Sequence, residues 1–350
     1  LVGSEMCIRD RYHPRQNDLY VASITTGELT QMTEHAGPEG NPAVSPNGRY
    51  LAYTSAADTR QGYNRADLRV MDLISGESRS LTADLDRSVS DIQWSADSKS
   101  VWIRYNDLGM ARIAEVDLKG NLTRADVVLG GTALGRPYTS GTFSVGGKNY
   151  IAYTLGRDDR PADLALMRSG KQRLQLTDLN SDLMGQREMS PVERMVWPSS
   201  HDCMEIEGWV MKPPGFDPEK QYPMILEIHG GPHSAYGPNY STEAQLFAAA
   251  GYVVFYTNPR GSTSYGEKFA NEIDLAYPGY DYDDLISGVD ALIDKGYVDS
   301  DQVFVTGGSG GGVLTAWIVG KTDRFRAAVV AKPVINWASF VLTADLNYFF

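Results

Sequence analysis

A serine hydroxyl attacks a carbonyl carbon only where the backbone lifts it clear of packed neighbours, and Ser309 stands in a run built to do that. Gly307-Gly308-Ser309-Gly310-Gly311 is a Gly-x-Ser-x-Gly centre. The β-formers Val303 to Thr306 lead into it, and the apolar segment Val313 to Val319 follows. The spacing predicts strand, sharp turn and buried helix, the arrangement of a nucleophile elbow. Strand and helix come so close at such a turn that positions 307 and 311 tolerate only residues without a Cβ. Ser309 is therefore expected in the open at the carboxyl edge of a sheet. A flexible Gly/Ser linker would lack both flanks. A dinucleotide loop would need glycine where Val313 stands.

A second cluster, His229-Gly230-Gly231-Pro232-His233, closes the predicted strand Met224 to His229. Small residues there let backbone N–H groups reach a ligand oxygen, as the second half of an oxyanion hole requires. The glycines and proline between the two histidines forbid the helix that would align them as metal ligands. Asp281, Asp283 and Asp284 open a predicted helix, where carboxylates meet the positive end of its dipole, so they read as capping residues rather than a metal site. No metal or cofactor is expected.

The elements that must hold these residues alternate. A hairpin over Val192 to Trp197 and Ile206 to Met211 is followed by strands at Met224 to His229, Tyr252 to Thr257, Val303 to Thr306 and Ala327 to Ala331. Helices at Glu243 to Ala250, Asp283 to Lys295 and Gly311 to Gly320 separate them. That order gives a doubly wound, mostly parallel sheet with helices on both faces. Leu285, Ile286, Val289, Leu292 and Ile293 form one helical stripe.

Residues 12 to 190 read differently. The turn clusters beginning at Ser45, Ser95 and Ser144 stand 50 and 49 positions apart, each followed by a β-rich run. Between them, Asp18 to Thr33 lines up with Asp67 to Thr82, and more loosely with Ala111 to Arg124 and Asp163 to Thr177. Short paired strands repeating at this length mark propeller blades, which must stack on neighbours to hide their faces. About four blades are expected, a partial β-propeller; a β-sandwich is the competing arrangement.

The chain has 350 residues, 42% of them hydrophobic, enough for two sizeable cores. A net charge of -12 argues against a nucleic-acid or anionic-membrane surface. The longest apolar run, Leu246 to Tyr256, spans 11 residues with a glycine inside, about half the length a bilayer needs. Cys7 and Cys203 make no disulfide framework and leave the compartment open. Residues 1–11 match no repeat and resemble translated adapter sequence, so they are set aside as non-native.

Taken together, Tyr222-Pro223 leading to His229-Gly-Gly-Pro-His233, then Asn258-Pro-Arg-Gly-Ser-Thr-Ser-Tyr-Gly266, then Gly307-Gly-Ser-Gly-Gly-Gly312 resemble the prolyl oligopeptidase family of serine peptidases, nearest its acylaminoacyl-peptidase-like branch. The resemblance implies a propeller ahead of an α/β-hydrolase domain over residues 191–350. It implies Ser309 as nucleophile, with the Gly310 and Gly231 N–H groups as the oxyanion hole. It places Arg260 and Tyr265 in a loop beside the site, where Arg260 is either a substrate contact or an inward structural residue. It also implies Val334, Trp337 and Phe340 as walls of the pocket for the residue before the scissile bond, with ordinary core as the other reading. Short peptides are the implied substrates, through acylaminoacyl-, dipeptidyl- or oligopeptidase action, and a homo-oligomer is compatible.

In α/β-hydrolases the triad runs Ser, Asp, His along the chain. Here His13, His35, His201, His229 and His233 all precede Ser309. Asp323 and Asp345 follow it at places where the orienting acid does not belong. The chain therefore reads as an internal fragment, truncated before the triad Asp and His, inactive as given and with Ala327 to Ala331 as an exposed edge prone to aggregation. A carboxylesterase or lipase with the same elbow, and a non-catalytic propeller binding protein, are the alternative functions.

Overall fold

The computed structural model describes residues 2–4, 15–131, 133, 135–147, 150–168 and 171–344. Its first half is a succession of antiparallel sheets, each formed by strands consecutive in sequence. The first holds β1 (Val2–Ser4), β2 (Leu19–Ala22) and β3 (Leu29–Gln31); the second β4 (Glu39–Val44), β5 (Tyr50–Ala56), β6 (Ala66–Asp72) and β7 (Ser78–Ser80). The third holds β8 (Val89–Trp94), β9 (Ser100–Asp107), β10 (Met110–Asp117) and β11 (Leu122–Arg124); the fourth β12 (Phe143–Val145), β13 (Tyr150–Leu155), β14 (Asp163–Arg168) and β15 (Lys171–Gln175). Among the described residues these sheets do not close into a ring.

The repeat has a physical basis. In three sheets a threonine at the end of the unit accepts from an N–H within the first three residues of an inner strand: Thr33 from Leu19 at 2.9 Å, Thr82 from Leu68 at 2.8 Å and Thr177 from Leu164 at 2.8 Å. The turns repeat as well. Ser45 Oγ donates to Asn47 at 2.7 Å, and Ser95 Oγ to Asp97 at 2.8 Å, an arrangement in which a short polar side chain replaces a backbone partner. The third cluster differs from expectation: Ser144 and Val145 lie in β12, and the turn begins at Gly146, whose N–H bonds the Tyr150 carbonyl. Adjacent sheets share apolar cores. Leu68, Val101 and Ile103 fill one, Trp102, Ile113 and Met167 another. Trp94 ties two sheets by donating to the Ala43 carbonyl at 2.8 Å.

Part of the opening stretch set aside on sequence grounds has a place in the fold. Val2–Ser4 pairs antiparallel with β2, an accommodation that a free strand edge offers to any extended segment.

After the short α1 (Ser181–Met184), a six-stranded sheet is built from β16 (Val192–Pro198), β17 (Glu205–Met211), β18 (Tyr222–Ile228), β19 (Val253–Asn258), β20 (Val298–Gly308) and β21 (Ala327–Ala331). Its order is β16-β17-β19-β18-β20-β21, antiparallel at the opening hairpin and parallel from β19 onward. The helices are α2 (Thr242–Ala249), α3 (Glu267–Asn271), α4 (Asp281–Ile293), α5 (Gly310–Lys321) and α6 (Trp337–Thr343). Of these, α3 and α6 carry no clear helical period in the sequence. Leu285, Val289 and Leu292 of α4 are fully buried against Phe255, Val303 and Val305, as the stripe requires. Gly288 lies beneath Trp197, where a Cβ would stand 2.6 Å from the indole. β21 ends the sheet order, and Val329 is 65% exposed. Among the described residues no helix is long and apolar enough to cross a membrane.

Candidate active site

β20 enters the turn between β18 and β21, and α5 leaves it at once. The crowding is severe. A Cβ on Gly307 would lie 2.4 Å from the Gly311 carbonyl oxygen, one on Gly311 2.1 Å from that of Ile228, and one on Gly312 2.3 Å from that of Ala331. Ser309 sits at the apex with φ 58° and ψ -118°, a region that costs a non-glycine residue on the order of 1–3 kcal/mol. Its side chain is exposed, its N–H bonds the Ala331 carbonyl at 3.0 Å, and its own carbonyl accepts from Val313 at 3.0 Å. Packing on both sides of the corner holds the strained residue in place.

The loop after β18 reaches this corner. A Cβ on Gly310 would meet Gly231 N and C at 3.1 Å, so the two backbones abut beside Ser309. Gly310 opens α5, and the first N–H groups of a helix have no partner within it. Tyr277 Oη donates to the Gly310 carbonyl at 2.7 Å. The Gly231 and Gly310 backbones and Ser309 thus border one space.

The neighbouring histidines do other work. His229 is buried between the Gly230 carbonyl and Ser262 Oγ, each at 2.8 Å, and burial holds its pKa down at about 4. His233 contacts the Gly261 carbonyl at 3.0 Å, with its pKa also lowered by burial. His35 and His201 belong to other surfaces, while His13 and Asp345 lie outside the described residues. Among the described residues no hydrogen bond joins Ser309 to a histidine or carboxylate, and none of them form a cluster of three or more potential metal ligands. Asp323 is exposed beyond α5.

A pocket of about 210 Å³ opens at Ser309, Gly310 and Gly231 and is walled by Val334, Trp337 and Phe340. The structure therefore brings these six sequence candidates together. α6 supplies Trp337 and Phe340 from one face, their rings edge to face at 5.7 Å. Val313 and Tyr277 complete the wall. Sequence reasoning missed both: Val313 looked like ordinary helix core, and nothing in Ala276-Tyr277-Pro278 announces a site residue. The side walls carry no charge, so the pocket suits an apolar side chain.

Arg260 and Tyr265 are not brought to this pocket. The Arg260 side chain is 2% exposed and pairs with Asp284 at 2.8 Å and Asp202 at 3.0 Å. Its backbone N–H also bonds Asp284, at 2.9 Å. Tyr265 donates to Glu207 and accepts from Asn258 at 2.9 Å. The substrate contact left open for Arg260 gives way to the inward alternative, because the loop turns the guanidinium onto two carboxylates, one of them fully buried.

The acidic start of α4 is likewise structural. Asp281 Oδ1 accepts from Gly279 at 2.7 Å and Tyr282 at 2.9 Å, while Oδ2 has no partner. Burial outweighs those bonds and raises its pKa to about 7. The folded state then holds a proton that the unfolded chain has released. The resulting stability is fully present below about pH 4 and is lost as the pH rises through about 7. Asp281→Asn keeps the Oδ1 acceptor and cannot ionise. Relative to wild type it should remove about 3 kcal/mol of the fall in unfolding free energy between about pH 5 and pH 8. Urea unfolding at the two pH values checks this, and an identical fall in both proteins contradicts it.

Residues 238–349 match the model of the prolyl oligopeptidase family. An uncharacterized peptidase YuxL of Bacillus subtilis is 34% identical over 95% of the chain and 59% of its own length. Dipeptidyl-peptidase 5 of Porphyromonas gingivalis is 28% identical over 95% of the chain and 48% of its own. Among solved structures, Pyrococcus horikoshii acylaminoacyl peptidase superposes with a TM-score of 0.83 at 23% identity, covering 100% of this chain and 53% of that one. A Mycobacterium tuberculosis puromycin-hydrolyzing peptidase gives 0.67 at 21%, covering 95% and 60%. These structures share the fold, and the chain spans about half the length of the proteins it matches.

Proposed function

We propose that the chain, whose residues 238–349 match the prolyl oligopeptidase family, is part of a serine peptidase hydrolysing short peptides by acyl transfer. The observation that carries the reading is the exposed, strained Ser309 set against the abutting Gly231 and Gly310 backbones. Ser309 Oγ attacks the scissile carbonyl, and the oxyanion takes hydrogen bonds from the two glycine amides. The tetrahedral intermediate collapses to an acyl-enzyme as the amine leaves with a proton, and water then releases the acid. The residue before the scissile bond is apolar and fills the pocket of Val334, Trp337 and Phe340.

The reading also requires a general base and an orienting Asp, and among the described residues no histidine or carboxylate is hydrogen-bonded to Ser309. The four-stranded sheets are blades of a propeller that restricts entry to short chains. The names of the relatives, dipeptidyl-peptidase and acylaminoacyl peptidase, support action near a peptide's amino end.

The test compares a short peptide amide with an apolar residue before the cleavage point against a p-nitrophenyl ester, using the full-length protein. Hydrolysis of both supports the peptidase. Hydrolysis of the ester alone makes it an esterase, and hydrolysis of neither leaves a binding protein.

A further inference from the structure

A short strap from the first half of the chain, residues 135–139, is laid onto the loop that carries Gly231. The Gly135 carbonyl accepts from Ser241 Oγ at 2.9 Å and from the Glu243 N–H at 3.1 Å, at the start of α2. Arg136 pairs with Glu243 at 3.0 Å and with buried Glu227 at 3.3 Å, and a Cβ on Gly308 would lie 3.0 Å from Arg136 Nη1. The Pro137 carbonyl accepts from Gly237 at 2.9 Å, and Thr139 donates to the Ala235 carbonyl at 2.9 Å. The strap is therefore fixed at both ends, and Tyr138 lies between the anchored Pro137 and Thr139.

Tyr138 Oη accepts a hydrogen bond from the Gly230 N–H at 2.8 Å. Gly230 is the residue before the proposed oxyanion donor. A Cβ built on it would lie 3.3 Å from Tyr138 Oη and 3.2 Å from Ser309 Cβ, so the phenol and the nucleophile flank the same narrow gap. The ring is braced edge to face against Tyr236, with centroids 4.7 Å apart. Gly231 itself has φ 132°, a conformation that glycine enters freely and that only outside contacts can hold. The Gly231 N–H belongs to the Gly230–Gly231 peptide, whose carbonyl lies 2.8 Å from His229 Nδ1; holding the Gly230 N–H as well leaves that peptide little freedom to turn.

We propose that Tyr138 is a positioning residue for the oxyanion hole: its hydroxyl anchors the Gly230 amide and so sets the Gly231 N–H at the point where charge develops beside Ser309. The inference rests on the peptidase reading. It makes the serine site dependent on a residue donated by the first half of the chain.

Two measurements test it with Tyr138→Phe, which keeps the ring and its contact with Tyr236. In the full-length protein, peptide-amide hydrolysis should lose roughly 10- to 100-fold in kcat with KM within about a factor of two. That is less than the loss of a whole oxyanion donor, and it is the pattern of an interaction made only in the transition state. Hydrogen exchange of the Gly230 amide should accelerate by about tenfold or more as its acceptor disappears, with the thermal midpoint nearly unchanged. An unchanged kcat, a rise in KM alone, or unaltered Gly230 exchange overturns the proposal. Ser309→Ala in the same protein separates the two levels. If activity survives that change, the peptidase reading falls and takes the Tyr138 role with it. If activity requires Ser309 but ignores Tyr138→Phe, only the positioning role falls.

Discussion

Ser309→Ala is expected to lower kcat for peptide-amide hydrolysis by the full-length protein roughly 10⁶-fold, the scale seen when a serine peptidase loses its nucleophile. The elbow explains why no neighbour substitutes. Ser309 is the one side chain at the apex, and glycines at 307, 308, 310, 311 and 312 offer no other hydroxyl. Folding should be unaffected or slightly improved, because the hydroxyl makes no hydrogen bond to a described histidine or carboxylate, and alanine at φ 58° pays a strain similar to that of serine. With every histidine ahead of Ser309 and none of the described ones bonded to it, the chain is expected to show no more than about 10³- to 10⁴-fold catalysis over water, from the oxyanion hole and binding alone. Family-like turnover by the isolated chain that disappears in Ser309→Ala would show that a base is present after all.

Arg260→Met should cost about 3–5 kcal/mol of unfolding free energy, because it strands a buried carboxylate without its partner. Asp284 is fully buried and takes three hydrogen bonds from Arg260, two from the guanidinium at 2.8 and 2.9 Å and one from the backbone at 2.9 Å. Asp202 holds the other side of the guanidinium but is partly exposed and can rehydrate. The penalty therefore falls mainly on Asp284. Adding Asp284→Asn should return much of the loss, since the amide keeps an acceptor for the residue-260 N–H and carries no charge. Urea unfolding of the single and double variants decides the matter. A single variant within about 1 kcal/mol of wild type would mean that solvent already reaches Asp284. A catalytic defect in Arg260→Met that persists when the protein is fully folded would restore the substrate role that the geometry takes away.

How much of this was legible beforehand depends on how local the signal is. The elbow was readable because its constraint lies within five residues: the glycine spacing and the β and apolar flanks are the geometry. The repeat was readable because turn-forming serines and closing threonines recur at fixed distances along the chain. Val334, Trp337 and Phe340 line the cavity at Ser309, although the short helix that carries Trp337 and Phe340 has no clear period in the sequence. Arg260 stayed ambiguous in sequence, since a loop arginine faces inward or outward according to where a helix 24 residues away brings its carboxylate.

The amino-acid sequence alone determined most of the strands and helices, two of the three repeated turns and which serine stands clear of packed neighbours, because each follows from residues a few positions apart. Tertiary structure alone decided that Arg260 points inward, that Tyr277 walls the pocket, and that Tyr138, 92 residues before Gly230, bonds to the loop beside Ser309. Those contacts depend on the order in which distant strands pair and on which faces the two halves present to each other. No run of adjacent residues encodes that arrangement.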